Sequence, residues 1–343
     1  MSTDREAAEA SPDAVAAAQP ASVLRYLAFV GSLRLTLVSL VVLLGAVVFI
    51  YDHEGEGDAT LALVLPLAML SINLVAAMLS NKAFRRQLPL LIFHLALLAI
   101  IVLVSMGRLT YLRATAEVVT GGEYLAMDRI EAGPWHWGEK DSLHFENLGF
   151  EIQYKAGLQR DATVNQVRWR DEAGILRTAE IGDQVPLLMR GYRFYTSSNK
   201  GFAALFRWEP RQGDPQLGSV VFPSYPAHKE RQTTHWRLGT EDIRVTLNLP
   251  GQLINPQSES RFRLPDRHDI SLDFSWRVAN LKPGESLVIP SGRLVYVGLT
   301  TWMGYNVFYD WTMSWLLAAC TLAVLALGWH FWRKFAVKPW QAA

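Results

Sequence analysis

The stretch LPLLIFHLALLAIIVLVSMG, residues 88–107, has no charged side chain and a single histidine, His94. A helix rising about 1.5 Å per residue carries such a stretch through roughly 30 Å, the hydrocarbon thickness of a bilayer. An imidazole left unpaired in hydrocarbon costs free energy much as an unpaired amide does. His94 therefore calls for a partner, and the rest of the chain has to be read for what that partner is.

The chain has 343 residues, of which 50% are hydrophobic and only 19% charged, with a mean hydropathy of +0.11. That is too apolar for an ordinary soluble chain. Yet 33 Lys+Arg and 32 Asp+Glu need water somewhere, so the composition implies membrane segments attached to a polar domain. A net charge of +1 gives no footprint for nucleic acid. The one cysteine, Cys320, lies in an apolar run, so no disulfide forms within the chain and no CxxC motif exists.

Four segments are long and apolar enough to span: about 35–51, 61–80, 88–107 and 311–332. Helices are expected, because lipid offers no partner to open backbone groups. Positive charge near the span ends sets the orientation. Arg25 and Arg34 flank the first span, Lys82, Arg85 and Arg86 fill the link between the second and third, and Arg333, Lys334 and Lys338 follow the fourth. The link DHEGEGDAT (52–60) carries no Lys or Arg. One solution satisfies every short link. Both termini are cytoplasmic, and the large block between the third and fourth spans is extracytoplasmic. The expected organisation is a disordered cytoplasmic tail (1–24), a three-helix membrane region (25–110), an extracytoplasmic domain (111–310), a fourth transmembrane helix (311–332) and a cytoplasmic tail (333–343).

The large domain reads as mainly antiparallel β, sandwich-like. DIRVTLNL alternates Ile243, Val245 and Leu247, and DISLDFSW alternates Ile270, Leu272, Phe274 and Trp276. GFEIQY repeats the period through Phe150, Ile152 and Tyr154, and RWRDEAGILR suggests two strands around a turn at Gly174. Tyr192, Phe194 and Tyr195 look like packing residues of a strand. The segment 224–242 lacks alternation and is expected to be a long exposed loop.

Ionisable residues inside membrane spans are rare and usually face a functional interior. Counted from Leu88, His94 lies about 9 Å into its span; Asn73 lies about 10 Å from the Ser80 end of the antiparallel second span. A metal-ligating imidazole usually gives its other N–H to an acceptor, and the Asn73 carbonyl is a candidate. Haem iron suits a lone neutral imidazole. Packing against a neighbouring helix is the plainer alternative for His94.

Taken in order, several pieces resemble the ResB-like (CcsB) family of System II cytochrome c biogenesis membrane proteins. They are GSLRLTLVSLVVLLGAVVF (31–49), INL (72–74), PLLIFHLALLAIIVLVSMGRL (89–109), EVVTGGEY (117–124), LLMRGYRFYTSSNKGFAALFRWEP (187–210) and VYVGLTTWMGYNVFYDWTMSWLLAA (295–319). The resemblance runs from about residue 25 to about residue 335. It implies a bacterial inner (plasma) membrane protein or its thylakoid equivalent, with the β domain on the periplasmic side. It also implies a CcsA-type membrane partner, with which the chain delivers haem b to apocytochrome c. By position, the family's membrane histidine falls on His94, as axial ligand to the haem iron, with the opposite ligand supplied by the partner. The partner's tryptophan-rich signature is missing here, since WHW (135–137) is too short to stand in for it. The chain is at most the shared component of a haem lyase.

The other histidines carry no metal spacing. His330 sits among Trp329 and Trp332, as an interfacial belt would place it. His136 is expected in a surface loop, and His53, His144, His228, His235 and His268 are scattered among polar residues. Met69, Met78 and Met106 are the thioethers available within the spans. The motifs of common hydrolases and phosphate loops are missing. An accessory subunit of a respiratory membrane complex, binding no haem, is the alternative function.

Overall fold

The computed structural model describes residues 25–52, 59–124, 126–182, 184–222, 230–239, 241–251 and 253–336. Most of the two expected tails, including all of 1–24, lies outside them, as do His53 and His228.

One unit is helical and contains, among the described residues, α1 (Leu33–Asp52), α2 (Ala59–Ser80), α3 (Lys82–Arg86), α4 (Leu88–Thr110) and α5 (Met313–Phe335). Four of them, all but the short α3, are long and apolar enough to cross a membrane. α1, α2 and α4 extend their expected spans by a few residues, whereas α5 starts at Met313 instead of 311 and runs past 332 to Phe335; polar residues such as Arg34, Arg108 and Lys334 prolong a helix past its apolar stretch. The main helix contacts run α1 to α2, α2 to α4, and α4 to α5. Gly31, just before α1, packs on the α2 backbone so closely that an added Cβ would lie 2.5 Å from the Ala77 nitrogen. Glycine permits this approach because it has no side chain to displace.

Residues 131–137 cluster with the helices, and the domain expected over 111–310 is interrupted there. The Trp135 N–H donates to the Leu109 carbonyl at 2.9 Å and the Gly133 N–H to Tyr111 at 2.9 Å. These acceptors lie at the end of α4, where helical carbonyls run out of partners. The Trp311 ring lies 5.9 Å from that of Trp137, tilted by 40°, and Trp311 donates its indole N–H to Thr110 Oγ1 at 3.0 Å. The segment is a surface loop, as expected, with Trp135 and Trp137 both exposed. No hydrophobic period announces its docking, since it works through backbone bonds and single indoles.

The second unit is β, in three sheets whose described ladders are antiparallel. A two-sheet sandwich is therefore too simple. A seven-stranded sheet is built on two long strands, Tyr192–Pro210 and Gly292–Tyr309, paired from Tyr192↔Tyr309 to Pro210↔Gly292. A four-stranded sheet runs in the order Arg277–Leu281, Asp269–Phe274, Glu241–Asn248, Arg231–Leu238. Another has Glu146–Lys155, Gln159–Arg170 and Leu176–Gly182, with Ser260–Arg261 at its other edge. Ile243, Val245, Leu247, Ile270, Leu272 and Phe274 all face one buried cluster, as their alternation requires. Tyr192 and Phe194 are fully buried.

Two expectations fail locally. Residues 231–238 form a strand rather than a loop, pairing Arg231↔Asn248 through Leu238↔Glu241. The inward positions there include Gln232 and Thr234, so burial alternates while hydrophobicity does not. Trp276 falls beyond its strand, in the turn before Arg277, and is 51% exposed.

Candidate functional site

Side chains on a helix lean toward its N-terminus, and His94 leans toward the start of α4. Its Nδ1 lies 2.7 Å from the Leu90 carbonyl, one turn back. A carbonyl only accepts, so Nδ1 carries a proton, and in the neutral ring Nε2 then keeps its in-plane lone pair. In this tautomer a neutral imidazole can ligate a metal through Nε2 while the other nitrogen is held by a backbone oxygen. Phe84, on α3, meets the ring edge-on at 4.6 Å, and Phe93 does so at 5.2 Å. The short α3 is fixed by its cap, Asn81, whose side chain accepts from the Ala83 N–H at 2.9 Å.

Asn73 does not hold the imidazole. Its Oδ1 accepts from Thr36 Oγ1 at 2.7 Å, and its Nδ2 donates to the Val30 carbonyl at 2.6 Å and the Ser32 carbonyl at 3.2 Å. Shared depth put the two residues at one level, but depth leaves azimuth undetermined. Asn73 faces the start of α1, whereas His94 finds its acceptor within its own helix. The role expected of the Asn73 carbonyl is taken by that of Leu90, a back-bond one turn away that any helical histidine could make. Phe84 had no sequence signal, because a helix break separates it from His94.

Beside His94 runs an apolar groove of about 340 Å³ between α2 and α4, lined by Val75, Met78, Leu79, Leu91, Leu95 and Leu98. Residues 91, 94/95 and 98 recur at helical spacing, so His94 borders the stripe that lines the groove. Met78 is the one candidate thioether in this lining.

The other described histidines make contacts of their own. His136 Nδ1 is 2.9 Å from the Thr110 carbonyl, at the other end of α4. His330 packs edge-on to Phe331. In the β domain, His268 Nε2 lies 2.7 Å from the Tyr296 hydroxyl, and burial holds its imidazole below the ordinary histidine value, against the opposing pull of Pro265 and Asp269. His235 lies 3.9 Å from Asp242 on an exposed strand pair. Among the described residues, no three His, Cys, Asp or Glu side chains gather to hold a metal ion. What His94 offers is one imidazole nitrogen at the border of an apolar groove.

No family model matches the chain, and no curated protein is significantly similar to it.

Proposed function

We propose that this protein is a haem-handling component of cytochrome c biogenesis, binding haem b through His94. The observation that carries the proposal is the Nδ1–Leu90 bond, which leaves the Nε2 lone pair available beside an apolar groove. When bound, haem would supply an iron that a histidine nitrogen can ligate. His94 would provide one nitrogen, the Leu90 carbonyl would hold that imidazole oriented through its Nδ1–H, and the groove side chains would exclude water from the ring. On this reading the opposite ligand comes from a CcsA-type partner. The pair would deliver haem across the inner membrane to apocytochrome c, with both termini cytoplasmic and the β domain periplasmic, as the charges flanking the helices favour.

The test is a pyridine haemochrome spectrum of the chain purified with and without the partner. We expect weak, high-spin or mixed-spin haem from the chain alone and a low-spin bis-imidazole spectrum from the pair, both lost in His94→Ala. A stable low-spin spectrum from the chain alone, as a verified monomer, would overturn the shared site. The edge-on contacts of Phe84 and Phe93 favour a second reading, an accessory subunit in which His94 only packs. On that reading His94→Ala changes thermal stability and leaves haem content where it was.

A further inference from the structure

We propose that residues 131–137 are an interfacial anchor, which seats the indoles of Trp135 and Trp137 in the headgroup region of the bilayer at the C-terminal end of α4. The occupant of this exposed aromatic face is the lipid–water interface. The proposal rests on α4 and α5 crossing a membrane. It uses neither haem nor the orientation of the termini, so it stands or falls apart from haem binding.

Backbone bonds fix the level of the segment. The Trp135 N–H donates to the Leu109 carbonyl and the Gly133 N–H to the Tyr111 carbonyl, each at 2.9 Å. His136 Nδ1 lies 2.9 Å from the Thr110 carbonyl between them. Three successive carbonyls at a helix end, which the helix itself cannot pair, are thus taken by a segment well beyond it in sequence. A Cβ at Gly133 would overlap the Leu109 carbonyl, so glycine lets the segment lie flush against the helix end. Trp135 and Trp137 are therefore held at the depth of Thr110.

That depth is an interface. The 23 residues of α4 rise about 34 Å, a little more than the roughly 30 Å of hydrocarbon in a bilayer. α5 gives a second measure. Trp311 donates its indole N–H to Thr110 Oγ1 at 3.0 Å, which sets the start of α5 beside the end of α4. Trp315, in the first turn of α5, and Trp332, near its other end, are both exposed. They stand about 26 Å apart along the axis. Exposed indoles at both ends of an apolar span are the aromatic belts of a membrane helix. Trp135 and Trp137 add to the belt at the Trp315 end.

The side chains suit that zone. Trp135 is 59% exposed and Trp137 is 55% exposed. An indole has a large apolar face and one N–H donor, and the headgroup region satisfies both where water covers only the donor. Arg108, in the last turn of α4, places its guanidinium 4.5 Å over the Tyr111 ring, and an interfacial arginine at this level meets lipid phosphates. Glu131, exposed at the start of the segment, limits the depth. A carboxylate needs water, so the anchor lies among headgroups and not in hydrocarbon.

The experiment uses the full chain carrying Cys320→Ala in phosphatidylcholine vesicles, with one bimane label at Ala132→Cys, which leaves both tryptophans in place. Quenchers are lipids with a nitroxide at the headgroup or at mid-chain, and aqueous iodide. A separate label at Leu325→Cys, exposed near the middle of α5, reads the depth of the span. We expect the headgroup nitroxide to quench the Ala132 label about twofold more than the mid-chain nitroxide, and the reverse order at Leu325. Trp135→Glu combined with Trp137→Glu should abolish the headgroup preference at Ala132. An Ala132 label quenched by iodide and by neither lipid, with Leu325 deep, would overturn the anchor alone and leave this face to water or to a partner protein. A Leu325 label quenched by iodide and by neither lipid would overturn the spanning of α5, and the anchor with it. The Ala132 measurement leaves the tryptophans unaltered, so it holds even if the glutamate variant misfolds.

Discussion

Replacing Asn73 by alanine separates a structural role from a haem-orienting one. The side chain makes three hydrogen bonds, to Thr36 Oγ1, the Val30 carbonyl and the Ser32 carbonyl. They are not equivalent. Ser32 keeps the Thr36 N–H at 3.1 Å and the Thr36 hydroxyl at 3.2 Å, so its carbonyl stays satisfied without Asn73. Thr36 likewise keeps Ser32 as an acceptor. The Val30 carbonyl lies at the break before α1 and has no other hydrogen bond among the described residues. Asn73 itself is 3% exposed, so no bulk water stands ready to replace its amide. An orphaned buried carbonyl costs about 1–3 kcal/mol, and interhelical bonds in membranes average about 0.6 kcal/mol. Asn73→Ala should therefore destabilise the helical unit by about 2–3 kcal/mol. Thermal unfolding in detergent, with haem content per folded protein measured in parallel, checks this. We expect a lowered melting temperature and unchanged haem per folded molecule. Undiminished stability with a large fall in haem retention would refute the reasoning and return Asn73 to the imidazole.

In the β domain, Tyr305 donates to Asn165 Oδ1 at 2.8 Å, and Asn165 donates to Asn147 Oδ1 and the Gly149 carbonyl, each at 2.7 Å, all in the interior. Tyr305→Phe should cost about 1–2 kcal/mol and Asn165→Ala about 3 kcal/mol, and a denaturation cycle should show the double variant sub-additive by about 1 kcal/mol. Burial depresses the His268 pKa, so the unfolded chain binds the extra proton between that lowered value and about 6.5. Stability is then lost as pH falls through this window, and the β domain should melt lower near pH 5 than near pH 7, with the difference reduced in His268→Gln.

The helices were legible because their signal is local and redundant. About twenty apolar residues in a row, ended by Lys or Arg, leave a single economical structure. Strands such as Glu241–Asn248 were legible for a related reason, since strict alternation from Ile243 to Leu247 implies one buried face. Arg231–Leu238 was not, because Gln232 and Thr234 occupy inward positions where burial is decided by neighbours and not by hydrophobicity. The docking of residues 131–137 on α4 was hidden for the same reason. Its donors are backbone amides, and a sequence does not say which amides will be left over.

His94 as the singular feature of the membrane segments, four apolar helices and a mainly antiparallel β domain are all determined by the sequence itself, because composition and period act within a few turns or residues. Only the tertiary structure decided that His94 binds the Leu90 carbonyl and packs against Phe84, and that Asn73 serves the start of α1. Each of these depends on azimuth and on contacts between distant segments. A helix fixes how deep a side chain lies; only its packed neighbours fix which way that side chain faces.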